Sequence, residues 1–154
     1  MGSGCCAECQ VGDTDREGKP SFSPGTISNC GRQGYSHGAL IASLHPVLPA
    51  GIKTSHLLLS YPLGPRSFLT LFHGGTYTDR LNKLINDPQS NVLIVHGDRD
   101  EFTGVETYEG WVTELRKNDG EFRVELIQGA THFWTSGSGQ RLKEIIKGWV
   151  PNLV

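Results

Sequence analysis

The sequence predicts an α/β domain, a three-layer α/β/α arrangement built on a mostly parallel sheet. Three observations point to it. Val92-Leu93-Ile94-Val95 is a continuous aliphatic run of the kind found in strands covered on both faces. Leu142, Ile145, Ile146 and Trp149 recur at i, i+3, i+4 and i+7, one apolar stripe of an amphipathic helix. From Gly34 onward, strand-like and helix-like segments alternate. Parallel strands require that order, because each crossover between them runs through a helix.

The elements follow in turn. Ala39 to Leu44 continues a glycine-rich turn as a short helix over residues 38–45, which Pro46 and Pro49 end. His56-Leu57-Leu58-Leu59-Ser60-Tyr61 reads as a buried strand stopped by Pro62. Residues 66–72 suit a helical turn, and 77–86 a helix with Leu81, Leu84 and Ile85 on one face. After the Val92–Val95 strand, Val105, Tyr108, Val112 and Leu115 stand at helical spacing until Asn118-Asp119-Gly120 ends the run. Phe122, Val124 and Leu126 then alternate as a strand ahead of the last helix. No internal repeat is visible. Residues 1–33 differ in kind. They are rich in Gly, Ser, Asp, Pro and Cys, with Val11, Phe22 and Ile27 as the sizeable apolar residues, and read as a poorly packed leader before a domain over 34–154.

Bulk properties narrow the function classes. A length of 154 residues suits one domain, and 36% hydrophobic with 19% charged residues is a globular balance. A net charge of −2, with no long Lys/Arg cluster, argues against a nucleic-acid partner. No apolar run approaches the roughly 18 residues of a membrane span. The start, Met1-Gly2-Ser3-Gly4-Cys5-Cys6, lacks the apolar region of a secretory signal, so a cytoplasmic protein is expected. Cys6 and Cys9 form a C-x-x-C, with Cys5 and Cys30 nearby. No second tight pair accompanies them, so free thiols are expected, with neither metal nor cofactor.

Gly34-Tyr35-Ser36-His37-Gly38 is a G-x-S-x-G pentapeptide opening into a helix-compatible run. Such a pattern mounts a nucleophilic serine on a sharp strand-to-helix turn, where larger side chains than glycine would collide. With 20 glycines in the chain, chance alone supplies the pentapeptide roughly 0.2 times, so it needs support. Two polar clusters downstream give it. His96-Gly97-Asp98-Arg99-Asp100-Glu101 follows the Val92–Val95 strand, and Gln128-Gly129-Ala130-Thr131-His132-Phe133-Trp134 follows the Phe122–Ile127 strand. Active residues of open parallel sheets gather just past the carboxyl ends of strands. Serine, carboxylate and histidine stand there in the chain order of an acyl-transfer triad.

On G-Y-S-H-G, V-L-I-V-H-G-D-R-D and Q-G-A-T-H-F, residues 34–150 resemble the C-terminal half of an α/β-hydrolase domain, nearest to esterase-like or dipeptidyl-peptidase-like serine hydrolases. The resemblance implies Ser36 as nucleophile, His132 as general base and Asp100 as the acid that orients the imidazole. It also implies the His37 backbone N–H as one oxyanion donor. Asp98 reads better as a turn residue bonding nearby backbone N–H groups, and Glu101 matches no acid position. His45, His56, His73 and His96 read as structural or solvent-facing. His37 is badly placed to serve as its neighbour's base. Tyr61, Phe72, Phe133 and Trp134 could shape an acyl pocket, with core packing the better reading for most. The implied partner is a small-molecule ester or similar acyl substrate.

One stretch departs from that pattern. An elbow is normally entered from a buried aliphatic strand, whereas residues 25–33 hold one aliphatic β-branched residue and two glycines. Early strands of the family, and the loop that carries the second oxyanion donor, have no counterpart. Losing one donor typically costs about 2.7–4 kcal/mol of transition-state stabilisation. The expectation is therefore a truncated α/β-hydrolase fold of three remaining strands, whose exposed edge could pair with a second copy. The alternative to a serine hydrolase is an inactive fragment or interaction module using that edge.

Overall fold

Among the described residues, four parallel strands, one more than the sequence predicts, pair in their chain order. The computed structural model describes residues 28–48, 52–63, 74–120, 122–135 and 137–149. The elements are β1 (Ser28–Tyr35), α1 (His37–Leu44), β2 (Ile52–Leu59), α2 (Gly74–Ile85), β3 (Ser90–Arg99), α3 (Val105–Leu115), β4 (Phe122–Thr131) and α4 (Ser138–Trp149). The sheet order is β1-β2-β3-β4, and every neighbouring pair is parallel. The turn expected over 66–72, and Phe72, His73, Cys5, Cys6 and Cys9, lie outside the described residues.

The additional strand corrects the reading of residues 25–33. Eight residues, Ser28 to Tyr35, run in register with Ile52 to Leu59. Backbone pairing supplies what side-chain hydrophobicity does not. The strand is outermost among the described ones, and Gln33 and Tyr35 on one of its faces are exposed, so it needs no continuous aliphatic run. Its second glycine has a positive use. A Cβ at Gly34 would fall on the Gly38 carbonyl, so glycine lets strand and helix meet at the turn.

Two apolar layers hold the sheet. Ala39, Leu40 and Ala42 of α1, Leu81, Leu84 and Ile85 of α2, and Tyr108 and Leu115 of α3 pack on Leu58, Val92 and Ile94. On the opposite face, Ile145 of α4, with Leu142, Ile146 and Trp149, packs on Leu57, Leu93, Val95, Ile127 and Ala130. This division follows from the strand order. When each strand adds on the same side of its predecessor through crossovers of one hand, the connecting helices share a face. Among the described helices, α4, which follows β4, packs on the other face.

At its carboxyl end the sheet is irregular. Gly97 pairs with Ile127 and Arg99 with Thr131, so β4 spends two more residues than β3 over the same span. Gly129 takes up part of this bulge at φ 74°. A Cβ on Gly97 would strike the Ala130 carbonyl, so the bulge packs directly on a glycine. Asp98 Oδ1 accepts the Gly129 N–H at 2.6 Å, bonding across to β4 rather than within its own turn.

Candidate active site

Ser36 occupies the turn between β1 and α1 at φ 53°, ψ −121°. A side chain other than glycine pays about 1–3 kcal/mol for such a backbone, which persists only where its surroundings enforce it. Here they do. The Ser36 N–H bonds the Leu59 carbonyl at 2.9 Å, continuing the β1–β2 ladder, while Gly34 allows the close turn. His37 opens α1, and N–H groups of a first helical turn lack intrahelical partners and face forward from the helix end. Its side chain is exposed.

Asp100 stands one residue beyond β3 and His132 one beyond β4. Both are buried: their side chains are 0% and 5% exposed. His132 Nδ1 lies 2.8 Å from Asp100 Oδ2, and His132 Nε2 lies 3.0 Å from Ser36 Oγ. A carboxylate only accepts, so Nδ1 carries the imidazole proton and Nε2 accepts from the serine hydroxyl. The second oxygen of Asp100 is occupied as well. Oδ1 accepts the N–H groups of Phe102 at 2.9 Å and Thr103 at 3.1 Å, which fixes the carboxylate's rotation. Three residues drawn from 36 to 132 in the chain thus form one hydrogen-bonded line.

The backbone of His132 is held too. Its N–H donates to Glu101 Oε2 at 2.9 Å, and its carbonyl accepts from the Tyr35 hydroxyl at 3.0 Å. Burial, then the Asp100 and Glu101 charges, push the Tyr35 phenol above its ordinary value, so it stays a donor. Phe102 meets the imidazole edge-on at 4.6 Å between ring centroids, and Phe133 does so at 5.5 Å. Neither Glu101 nor Tyr35 is singled out by sequence for these bonds, because a partner that is a backbone group leaves no motif.

The remaining candidates fall elsewhere. His56 is fully buried in β2, and desolvation lowers it to about 4; its Nε2 lies 3.3 Å from the His45 carbonyl. His96 is buried, stacks on Tyr108 at 4.0 Å, and is likewise pushed down by burial. Tyr61 is core and stacks on Trp111. Trp134 packs beneath α4, but Phe133 is 62% exposed beside His132, so core packing does not account for it. Cys30 is buried in β1. Among the described residues, no group of three His, Cys, Asp or Glu side chains could hold a metal ion, and no helix is long and apolar enough to cross a membrane.

An esterase from Pyrococcus furiosus superposes with a TM-score of 0.55 at 14% identity, over 80% of this chain and 52% of that one. An esterase from the planctomycete Thermogutta terrifontis superposes with a TM-score of 0.53 at 17% identity, over 80% and 55%. The chain has the α/β-hydrolase fold. It spans about half the length of the α/β-hydrolase structures it matches. No family model and no curated protein matches the sequence. At these identities the α/β-hydrolase likeness concerns architecture, and any activity must be argued from the site.

Proposed function

We propose that this chain is the catalytic portion of a serine hydrolase that cleaves an ester or similar acyl bond through an acyl-Ser36 intermediate. The observation that carries the reading is the Ser36–His132–Asp100 line, at 3.0 and 2.8 Å, on a serine held at positive φ. A hydroxyl is a weak nucleophile until a base takes its proton as it attacks. Ser36 Oγ adds to the acyl carbon, and His132 Nε2 receives the hydroxyl proton. Asp100 stabilises the imidazolium through Nδ1–H. The His37 N–H donates to the oxyanion of the tetrahedral intermediate. Collapse expels the alcohol, which takes its proton from His132. Water then repeats the sequence on the acyl-serine, releasing the acid and restoring Ser36. Phe102 and the exposed Phe133, edge to face at 5.9 Å, supply an apolar flank for an acyl or leaving group.

A fluorophosphonate probe tests the reading, since it phosphonylates an activated serine and needs no knowledge of the substrate. Covalent labelling of the folded protein is expected, with none for Ser36→Ala. Equal labelling of both, or none of the folded wild type, would overturn the proposal.

A further inference from the structure

Both peptide groups that flank the His132 α-carbon are bonded by side chains adjacent to the other two members of the line. Glu101 follows Asp100 and accepts the His132 N–H at 2.9 Å. Tyr35 precedes Ser36 and donates to the His132 carbonyl at 3.0 Å. These bonds pin the residue from opposite sides, while Nδ1 and Nε2 are engaged by Asp100 and Ser36. His132 itself lies in a tight turn after the bulged end of β4, closed by the Trp134 N–H on the Thr131 carbonyl at 3.1 Å, with Trp134 at φ 55°. That turn bond spans His132 without touching its own N–H or carbonyl, which the Glu101 and Tyr35 side chains hold.

We propose that Glu101 and Tyr35 are positioning residues that fix the His132 backbone, and through it the aim of the imidazole from Asp100 onto Ser36. The inference rests on the serine-hydrolase reading for its kinetic consequence, but the tether itself is a property of the folded chain. Glu101 acts here as a hydrogen-bond acceptor on an N–H and not as an alternative triad acid, because its carboxylate meets the backbone of His132 while Asp100 holds the ring. Its charge is therefore dispensable, whereas its acceptor oxygen is not. The Tyr35 side chain has one polar atom, and that atom is the donor.

The test compares Glu101→Ala, Glu101→Gln and Tyr35→Phe in the full chain, by two readouts. With p-nitrophenyl acetate, Glu101→Ala should lower kcat about 10–100-fold with KM little changed, as expected when a reacting group is misaimed and substrate binding is not. Glu101→Gln keeps an acceptor of the same shape and should recover most of the loss, and Tyr35→Phe should fall between the two. Proton NMR supplies the second readout, the downfield Nδ1–H resonance of His132. It should persist in wild type and Glu101→Gln, and broaden or vanish in Glu101→Ala. Wild-type kcat and an unchanged resonance in Glu101→Ala would overturn the inference. So would equal losses in Glu101→Ala and Glu101→Gln, which would make the charge decisive. If Glu101→Ala does not fold, Tyr35→Phe decides: a lowered kcat or a broadened resonance supports the tether, and wild-type behaviour in both overturns it. Should the wild type prove inactive, the functional reading fails by itself, and the resonance alone then judges the tether.

Discussion

Single residues divide here into those that chemistry exposes to sequence reading and those that geometry hides. The hydrogen-bonded line of Ser36, His132 and Asp100 is foreseeable because each of the three sits in a short motif just past a strand. Glu101 and Tyr35 are not, since each serves a backbone atom 31 or 97 positions away. Asp98 is a partial case: its expected bond to a backbone N–H exists, but the donor is Gly129 on the next strand. The triad reading makes a sharp demand of Asp100. In Asp100→Asn, the amide can keep the shape of the site, yet it no longer obliges Nδ1 to carry the proton. The tautomer that leaves Nε2 free to accept from Ser36 is then lost. A fall in kcat, or in the fluorophosphonate labelling rate, on the order of 10⁴-fold is expected, with an unchanged thermal midpoint to within a few degrees. A loss of less than tenfold would assign the orienting role elsewhere.

Elements show where hydrophobic pattern misleads. The Val92–Val95 strand and the Leu142–Trp149 stripe are visible because burial on two faces or on one stripe writes itself into composition. β1 is not, because it is held by eight register pairs with β2 and Gly34 near its end serves the turn that follows. The two glycines that count against a strand over residues 25–33 are Gly25 and Gly31; Gly34, just beyond, is the one the turn requires. The bulge in β4 is equally silent in sequence, yet it decides where the strand delivers His132. Gly97 gives access to it. In Gly97→Ala, the new Cβ meets the Ala130 carbonyl, and backbone cannot yield as a flexible side chain would. The loss in stability should be about 1–3 kcal/mol, by urea denaturation, accompanied by a drop in labelling rate as the end of β4 shifts. Unchanged values for both would mean that the bulge relaxes freely.

The molecule as a whole buries histidine where a pH change can reach it. His56 is fully buried and its value lies at about 4, well below the 6.5 of a free imidazole, chiefly through desolvation. Above pH 6.5 it is neutral whether the chain is folded or not, so it has no effect on stability. As pH falls from 6.5 toward 4, the unfolded chain binds a proton that the folded one refuses, and stability declines across that window. The decline levels off below about 4, where both states are charged. The sum is on the order of 3 kcal/mol for this residue. His96, lowered by burial as well, acts in the same direction. Urea midpoints should therefore fall between pH 7 and pH 4.5, and fall less in His56→Asn. An identical pH dependence in both proteins would count against a neutral buried His56. At this scale the fold class was legible from alternation of elements alone.

The order β1-β2-β3-β4 also sets a timetable for synthesis. Among the described strands, each can join the one made just before it as it leaves the ribosome, and none must wait to be inserted between two older ones. The serine turn can thus be complete while His132 is still unmade. Until β4 has docked, the 3.0 Å bond from Ser36 Oγ to His132 Nε2 cannot form. On the serine-hydrolase reading proposed above, a nascent chain therefore carries its elbow before it carries the base that would activate it.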